Sequence, residues 1–466
     1  MIRFWNLENL TTFSGDQGYD FLIVKRMVSD GDFTLLGPKI GPYNEIGNLY
    51  LGPAYYYLMA PALFLFNFDP IGGAVLSAAL AVLTIAAIYK FCAEFLSKQI
   101  GVVAALLYST NSFLINQSRA PSNPHFLPFF SMVFLFGLFK SQKSNTLLWP
   151  IVAGLSLGVM FQLHYLSVAL IPLALIFVIF RKYQKLLLLA ASFFVAVSPQ
   201  VLFELRNKFF ITNLFLNQLK AGQNISGLQM FWDKLSLSAE KLSSVFLNSQ
   251  NLWLLAPVII GLGIFLNEHK SRRQAVFFLL FTLFLATGAV SLYSGTLELH
   301  YFAAVYPQIV ILIAIVFITA LYKFKNFFIK VILALIFIQL ITANLQNLDL
   351  NSPQGYTMPQ GWNLPGAKKA SKIIASDIEG QKFNVASTLD GDTRARPLRY
   401  LVEVYGKIPQ DVEHYPGSQV IYLVERDEEE AVKKYTVWEI SSFQPFKVSG
   451  KWDIQNGIAL YKLEKN

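Results

Sequence analysis

Long apolar runs fill most of the chain before residue 345, separated by short polar connections. Ile151 to Phe161, Leu186 to Val197 and Ile309 to Ala320 contain no charged residue, the pattern of helices that cross a bilayer. Read by length and hydropathy, spans fall at about 70–89, 100–117, 125–140, 147–163, 165–180, 186–204, 251–267, 274–293, 301–321 and 327–344, about ten in all. Residues 1–49 are too polar to span. The stretch Asn48 to Pro61 is apolar and tyrosine-rich but carries Pro53 and Pro61. Aromatic clusters favour the membrane–water interface, so roughly 50–66 reads as a juxtamembrane helix on the surface. Beyond Leu345 the pattern changes: a breaker-rich linker at Ser352 to Gly361, helical periodicity at Gly366 to Ile378 and Pro397 to Tyr405, and strand-like runs at Phe383 to Ser387, Gln419 to Val424, Trp438 to Ser442 and Ile458 to Leu463. The expected architecture is an α-helical polytopic membrane protein: residues 1–69 an outer loop with a juxtamembrane helix, 70–345 the membrane domain, and 346–466 a small α/β domain.

Composition agrees. Of 466 residues 54% are hydrophobic and only 14% charged, against about a quarter charged in soluble proteins. The net charge of +9 does not mark a nucleic-acid partner, because from Leu345 onward 15 Lys and Arg meet 16 Asp and Glu. The excess lies in the membrane part. There the basic connections Lys90/Lys98, Lys140/Lys143, Arg181/Lys182/Lys185, Lys270/Arg272/Arg273 and Lys323/Lys325 alternate with connections that carry little charge apart from Arg119 and the long segment 205–250. The positive-inside rule makes the basic side cytoplasmic. Residues 117–125, 164–165, 205–250, 294–300 and everything after 345 then face outward. Residues 1–49 join them if 50–66 lies on the surface, and are cytoplasmic if it spans. An outward segment of this length normally follows a leading helix, and Met1 to Leu7 reads as the end of one, so the expectation is that the natural gene begins further upstream or that the start codon is misassigned. The single cysteine, Cys92, excludes a disulfide framework.

Candidate chemistry gathers on the outward side. Phe13-Ser-Gly-Asp-Gln-Gly-Tyr-Asp20 puts Asp16 and Asp20 four residues apart, one helical turn; Asp16 reads equally as a helix N-cap. Arg119 stands alone in the loop before His125. Gln162-Leu-His164-Tyr165 and Glu298-Leu-His300-Tyr301 close two spans. Ionisable groups at membrane depth are costly and tend to be functional, although His164 and Glu298/His300 also suit capping and Arg119 suits snorkelling. Arg206 and Lys208 follow in the long loop. His125 and His269 read as structural. No His/Asp/Glu cluster has metal-ligand spacing, and whether a divalent ion is needed stays open.

The leading acidic motif in an outer loop, the Tyr-rich segment with Gly52-Pro53, the many spans and a late outer His300-Tyr301 followed by Pro307 resemble the GT-C glycosyltransferases. More closely, the chain is similar to the bacterial protein-mannosyltransferase and aminoarabinose-transferase group, over about Asn6 to Leu345. The resemblance implies a polyprenyl-phosphate sugar as donor and an extracytoplasmic protein, lipid or glycan as acceptor, with no other cofactor. It makes Asp16 the catalytic carboxylate, with Asp20 as helper. It puts the donor phosphate near His300 and Tyr301, where the family more often has Arg-Tyr. Arg119 is then the best fork for phosphate, with His164, Glu298 and Arg206 as further contacts. Two rival classes fit a polytopic protein. A transporter or flippase would use Asp16, His164 and His300 as gates, but usually shows internal repeats, and none is found. A polysaccharide ligase or polymerase would be expected to carry arginine-rich outer loops.

Overall fold

The computed structural model describes residues 1–40, 49–173, 183–220, 227–353, 358–389 and 392–465. A 3-10 turn at Ile2–Phe4 and helix α1 (Leu7–Leu10) lead into α2 (Gly15–Ser29). A two-stranded antiparallel ribbon, β1 (Lys39–Ile40) with β2 (Leu49–Tyr50), then delivers the chain to α3 (Ala54–Leu65).

At 12 residues α3 is about 18 Å long, well short of the roughly 30 Å hydrocarbon core. Its surroundings agree with its length. At its start the Tyr55 hydroxyl donates to the Pro121 carbonyl and Tyr56 reaches Asp20 of α2. Just beyond its end, Phe68 accepts from Tyr400 and Asp69 pairs with Lys368. Both ends therefore touch polar elements, the Pro121 loop and α2 at one end and the C-terminal domain at the other.

The membrane domain comprises α4 (Ile71–Phe95), α5 (Lys98–Thr110), α6 (Ser112–Gln117), α7 (Leu127–Lys143), α8 (Leu148–Leu163), α9 (Tyr183–Arg206), α10 (Phe210–Lys220), α11 (Leu228–Leu247), α12 (Leu255–Glu268), α13 (Arg273–Leu292), α14 (Tyr306–Lys323) and α15 (Phe327–Gln346). Among the described residues six helices are long and apolar enough to cross, or seven if the α11–α12 pair, bent by 71°, counts as one span. The reading of about ten differs where spans are short or broken. The run 100–117 breaks at Asn111, whose side chain caps Leu114 and bonds Val245 and Asn344. The run 165–180 starts as a 3-10 stretch, Tyr165–Leu170, and its last residues lie outside those described. The basic connections meet at one end of the bundle: Lys140 pairs with Glu94, Lys185 donates to the Ser141 and Ser144 carbonyls, and Lys323 pairs with Glu268.

In the C-terminal domain β3 (Phe383–Ser387), β4 (Val420–Glu425), β6 (Ile458–Lys465) and β5 (Phe446–Gln455) lie side by side in that order; β3 and β4 are parallel and the other pairings antiparallel. Every residue of β3 and β4 is buried, as expected of strands covered on both faces. Helices α16 (Leu364–Asp377) and α17 (Arg396–Val404) pack between this sheet and the membrane domain. Trp438 to Ser442, read as a strand, is instead a helical turn, Trp438–Ser441. Ile440 and Phe443, three apart, both enter the small second core, so the operative period is helical. Strand β5 escaped the sequence reading because it is an edge strand with two irregularities and alternating polar residues.

Candidate active site

The acidic segment forms the first turn of α2. The N-cap is Ser14, in a capping box with Gln17: the Ser14 backbone N–H donates to Gln17 Oε1 at 3.0 Å. Asp16 is therefore not the cap. It sits inside the first turn with an exposed side chain, where the helix dipole favours an anion.

The two glycines serve close approach rather than a tight turn. A Cβ at Gly18 would fall 2.5 Å from the Pro397 nitrogen and 2.6 Å from the Arg396 carbonyl carbon; one at Gly15 would fall 2.9 Å from an Asp392 carboxylate oxygen. The N-terminus of α17 thus rests directly on the acidic turn. Tyr400 of α17 packs edge-on against Phe13 and Phe21, and Glu403 binds Lys25 at 3.2 Å and Arg26 at 3.0 Å.

Asp20, one turn on, is 8% exposed and accepts from the Tyr56 hydroxyl at 2.8 Å. Burial, first of all, pushes its pKa up to about 8; the Asp16 charge adds to this, and the Tyr56 hydrogen bond and Arg396 oppose it. The two carboxylates are thereby separated in kind: one open to solvent, one buried and largely protonated at neutral pH. Around them stand Tyr19, with the Arg396 guanidinium 5.1 Å from its ring centroid, and Lys39, 5.9 Å from the ring of Tyr50.

Deeper, Tyr55 packs against Phe126 at 5.6 Å. Next along the chain, Leu127 joins His164, Ser167 and Tyr301 around a cavity of about 10 Å³, the lower limit for one water. Here three of the sequence candidates meet. The His164 ring lies 6.0 Å from His300 and 5.3 Å from Tyr301, and His300 lies 4.6 Å from Tyr301. His164 Nδ1 also accepts from Leu166 N–H, so its capping role is real as well. Glu298 precedes the 3-10 stretch Leu299–Val305 that carries His300 and Tyr301, and Lys234 and Lys241 of α11 hold that loop by the Tyr293, Gly295 and Leu297 carbonyls.

Arg119 is placed differently. It is 2% exposed, and its guanidinium donates to the Ile2 carbonyl at 2.8 Å beside buried Arg3, where burial lowers its pKa. It fastens the amino-terminal turn. Arg206, the last residue of α9, and Lys208 just beyond it are exposed. A second recess of about 420 Å³ lies between α1 and α16, but Lys368 and Lys369 along it are bound to Glu8, Asp69 and backbone carbonyls. Among the described residues no three His, Cys, Asp or Glu side chains come together as a metal site. Nothing in the sequence points to Arg396, which lies 380 residues from Asp16 along the chain and is brought there only by the docking of α17.

The fold is of the ArnT-like GT-C type. Two structures of ArnT from Cupriavidus metallidurans are similar over almost the whole length: the apo state with a TM-score of 0.60 and 12% identity, and the form bound to undecaprenyl phosphate with 0.59 and 13%, each covering 99% of this chain and 96% of that one. Residues 51–203 match the family described as dolichyl-phosphate-mannose-protein mannosyltransferase. That match begins after the acidic turn and ends before His300. No curated protein sequence matches the chain.

Proposed function

We propose that this chain is an integral membrane glycosyltransferase that moves a sugar from a polyprenyl-phosphate donor to an extracytoplasmic acceptor. The observation that carries it is the pair on α2: an exposed Asp16, relieved of capping by Ser14, above a buried Asp20. The ArnT-like fold and that relative's complex with undecaprenyl phosphate support the choice of donor. With the basic end of the bundle cytoplasmic, α2, α3 and the C-terminal domain face outward.

In the reaction the acceptor hydroxyl oxygen attacks the anomeric carbon while the bond from that carbon to the phosphate oxygen breaks. The configuration inverts, Asp16 takes the hydroxyl proton, and polyprenyl phosphate leaves. General-base help of this kind contributes about 10²–10⁴-fold. Asp20, holding its proton near neutrality, accepts from Tyr56 and keeps a second negative charge away from the leaving phosphate. His300 and Tyr301, beside His164, are the proposed donors toward that phosphate; Arg119 is committed to the Ile2 carbonyl.

The test is transfer from a panel of radiolabelled polyprenyl-phosphate sugars by purified protein in lipid. Wild type is expected to transfer from at least one donor, and Asp16→Asn to lose about 10²–10⁴-fold while still folded. Full activity of Asp16→Asn, or no transfer from any donor alongside measurable solute uptake, would sink the reading.

A further inference from the structure

We propose that the C-terminal domain is a working part of the site, and that Arg396, at the start of α17, is a positioning residue for the acidic turn of α2. The inference rests on the glycosyltransferase reading for its kinetic consequence, but not for its structural one.

Three contacts set Arg396 in place. Its own backbone carbonyl and the following Pro397 nitrogen lie against Gly18, where a methyl group could not fit. Its guanidinium covers the Tyr19 ring at 5.1 Å, and its Nε lies 3.6 Å from Asp392. Downstream on the same helix, Tyr400 is wedged against Phe13 and Phe21, with its hydroxyl on the Phe68 carbonyl at 2.5 Å. Glu403 then grips Lys25 and Arg26. One nine-residue helix therefore touches the start, the middle and the end of α2 as well as the α3–α4 turn. A domain held only as an appendage would not need a glycine at its closest approach.

The groups facing Asp20 come from three elements: Asp16 and Tyr19 of α2, Tyr55 and Tyr56 of α3, and Arg396 from the C-terminal domain, itself paired with Asp392. Arg396 is the cation acting on Asp20 in this set, opposing the charge of Asp16. A nearby opposite charge favours the ionised carboxylate, and its removal favours the proton. Arg396 thus tunes how firmly Asp20 keeps its proton and fixes the ring of Tyr19, between the two carboxylates in sequence.

The experiment compares wild type, Arg396→Gln and Arg396→Lys in full-length protein in lipid. The Asp20 titration is read as the carboxyl infrared band absent from Asp20→Asn. Arg396→Gln is expected to move its midpoint upward, and Arg396→Lys to keep it near wild type. In the transfer assay Arg396→Gln should lower kcat by about tenfold with the donor KM little changed, because the Tyr19 ring and the acidic turn lose their support while Asp20 keeps its proton, and Arg396→Lys should recover most of it. An Asp20 midpoint that does not move in a folded Arg396→Gln protein overturns the proposal, as does equal loss in the Gln and Lys variants. If wild type transfers no sugar, the infrared arm still decides the placement of Arg396, so failure of the function and failure of this inference are distinguishable.

Discussion

The residue that changes meaning most between sequence and structure is Asp16. Its spacing fits a cap as well as a catalyst, and the capping box of Ser14 and Gln17 removes the first role. Asp20 changes too, from a second acid on a shared face to a buried group held by Tyr56. Its raised pKa has a stability consequence. The folded protein keeps the proton up to about pH 8, whereas an unfolded aspartate releases it near pH 4. The group's contribution to stability is therefore fully present below about pH 4 and is lost as pH rises through about 8, by up to about 1.4 kcal/mol per unit. Asp20→Asn, which can still accept from Tyr56, should unfold at a higher temperature than wild type at pH 8, and the gap should narrow toward pH 5. Thermal scans across that range check it; a gap independent of pH would contradict the burial argument.

At the scale of elements, α2 and α17 are fitted to each other, and the two glycines of the acidic motif should differ in tolerance. Gly18 faces the backbone of Arg396 and Pro397, which cannot yield without moving α17, whereas Gly15 faces the Asp392 side chain, which can. Gly18→Ala is expected to cost about 1–3 kcal/mol, the range for overpacking, and Gly15→Ala distinctly less. Comparing their unfolding midpoints tests this. Elsewhere, elements with unambiguous periodicity were legible: Phe383–Ser387 was read with its observed bounds, and Ile71–Phe95 and Phe327–Gln346 differ from the reading mainly at their ends. Elements whose pattern is set by neighbours were not, among them the edge strand Phe446–Gln455 and the helical turn Trp438–Ser441.

At the scale of the whole molecule, the amino-terminal helices, α3 and the C-terminal domain pack against one another. Glu403 is the clamp between these parts, nearly buried and shared by Lys25 and Arg26. Glu403→Ala leaves both cations without that partner at a half-buried seam, and should cost about 1–3 kcal/mol. Hydrogen exchange should then rise in α17 and α2 together, while the buried strands β3 and β4 stay protected. Faster exchange in α17 alone would mean that the two helices do not respond as a unit.

Hydropathy by itself determined that the chain is a polytopic membrane protein with a folded polar domain at its end, because apolar length and loop charge are local properties summed along the chain. It also singled out Asp16, Asp20, His164, His300 and Tyr301, since ionisable and aromatic groups at span ends stand out against an apolar background. It left open what the amino-terminal segment packs against. Only the tertiary structure shows that residues 1–40 and the α3–α4 turn dock on the C-terminal domain, through contacts between residues hundreds of positions apart: Tyr400 on Phe68, Lys368 on Glu8 and Asp69, Glu403 on Arg26. The same packing turned Arg119 inward to the Ile2 carbonyl and brought Arg396 to the acidic turn. A side chain's charge is written in the sequence, but the groups it meets are set by which surfaces close upon one another.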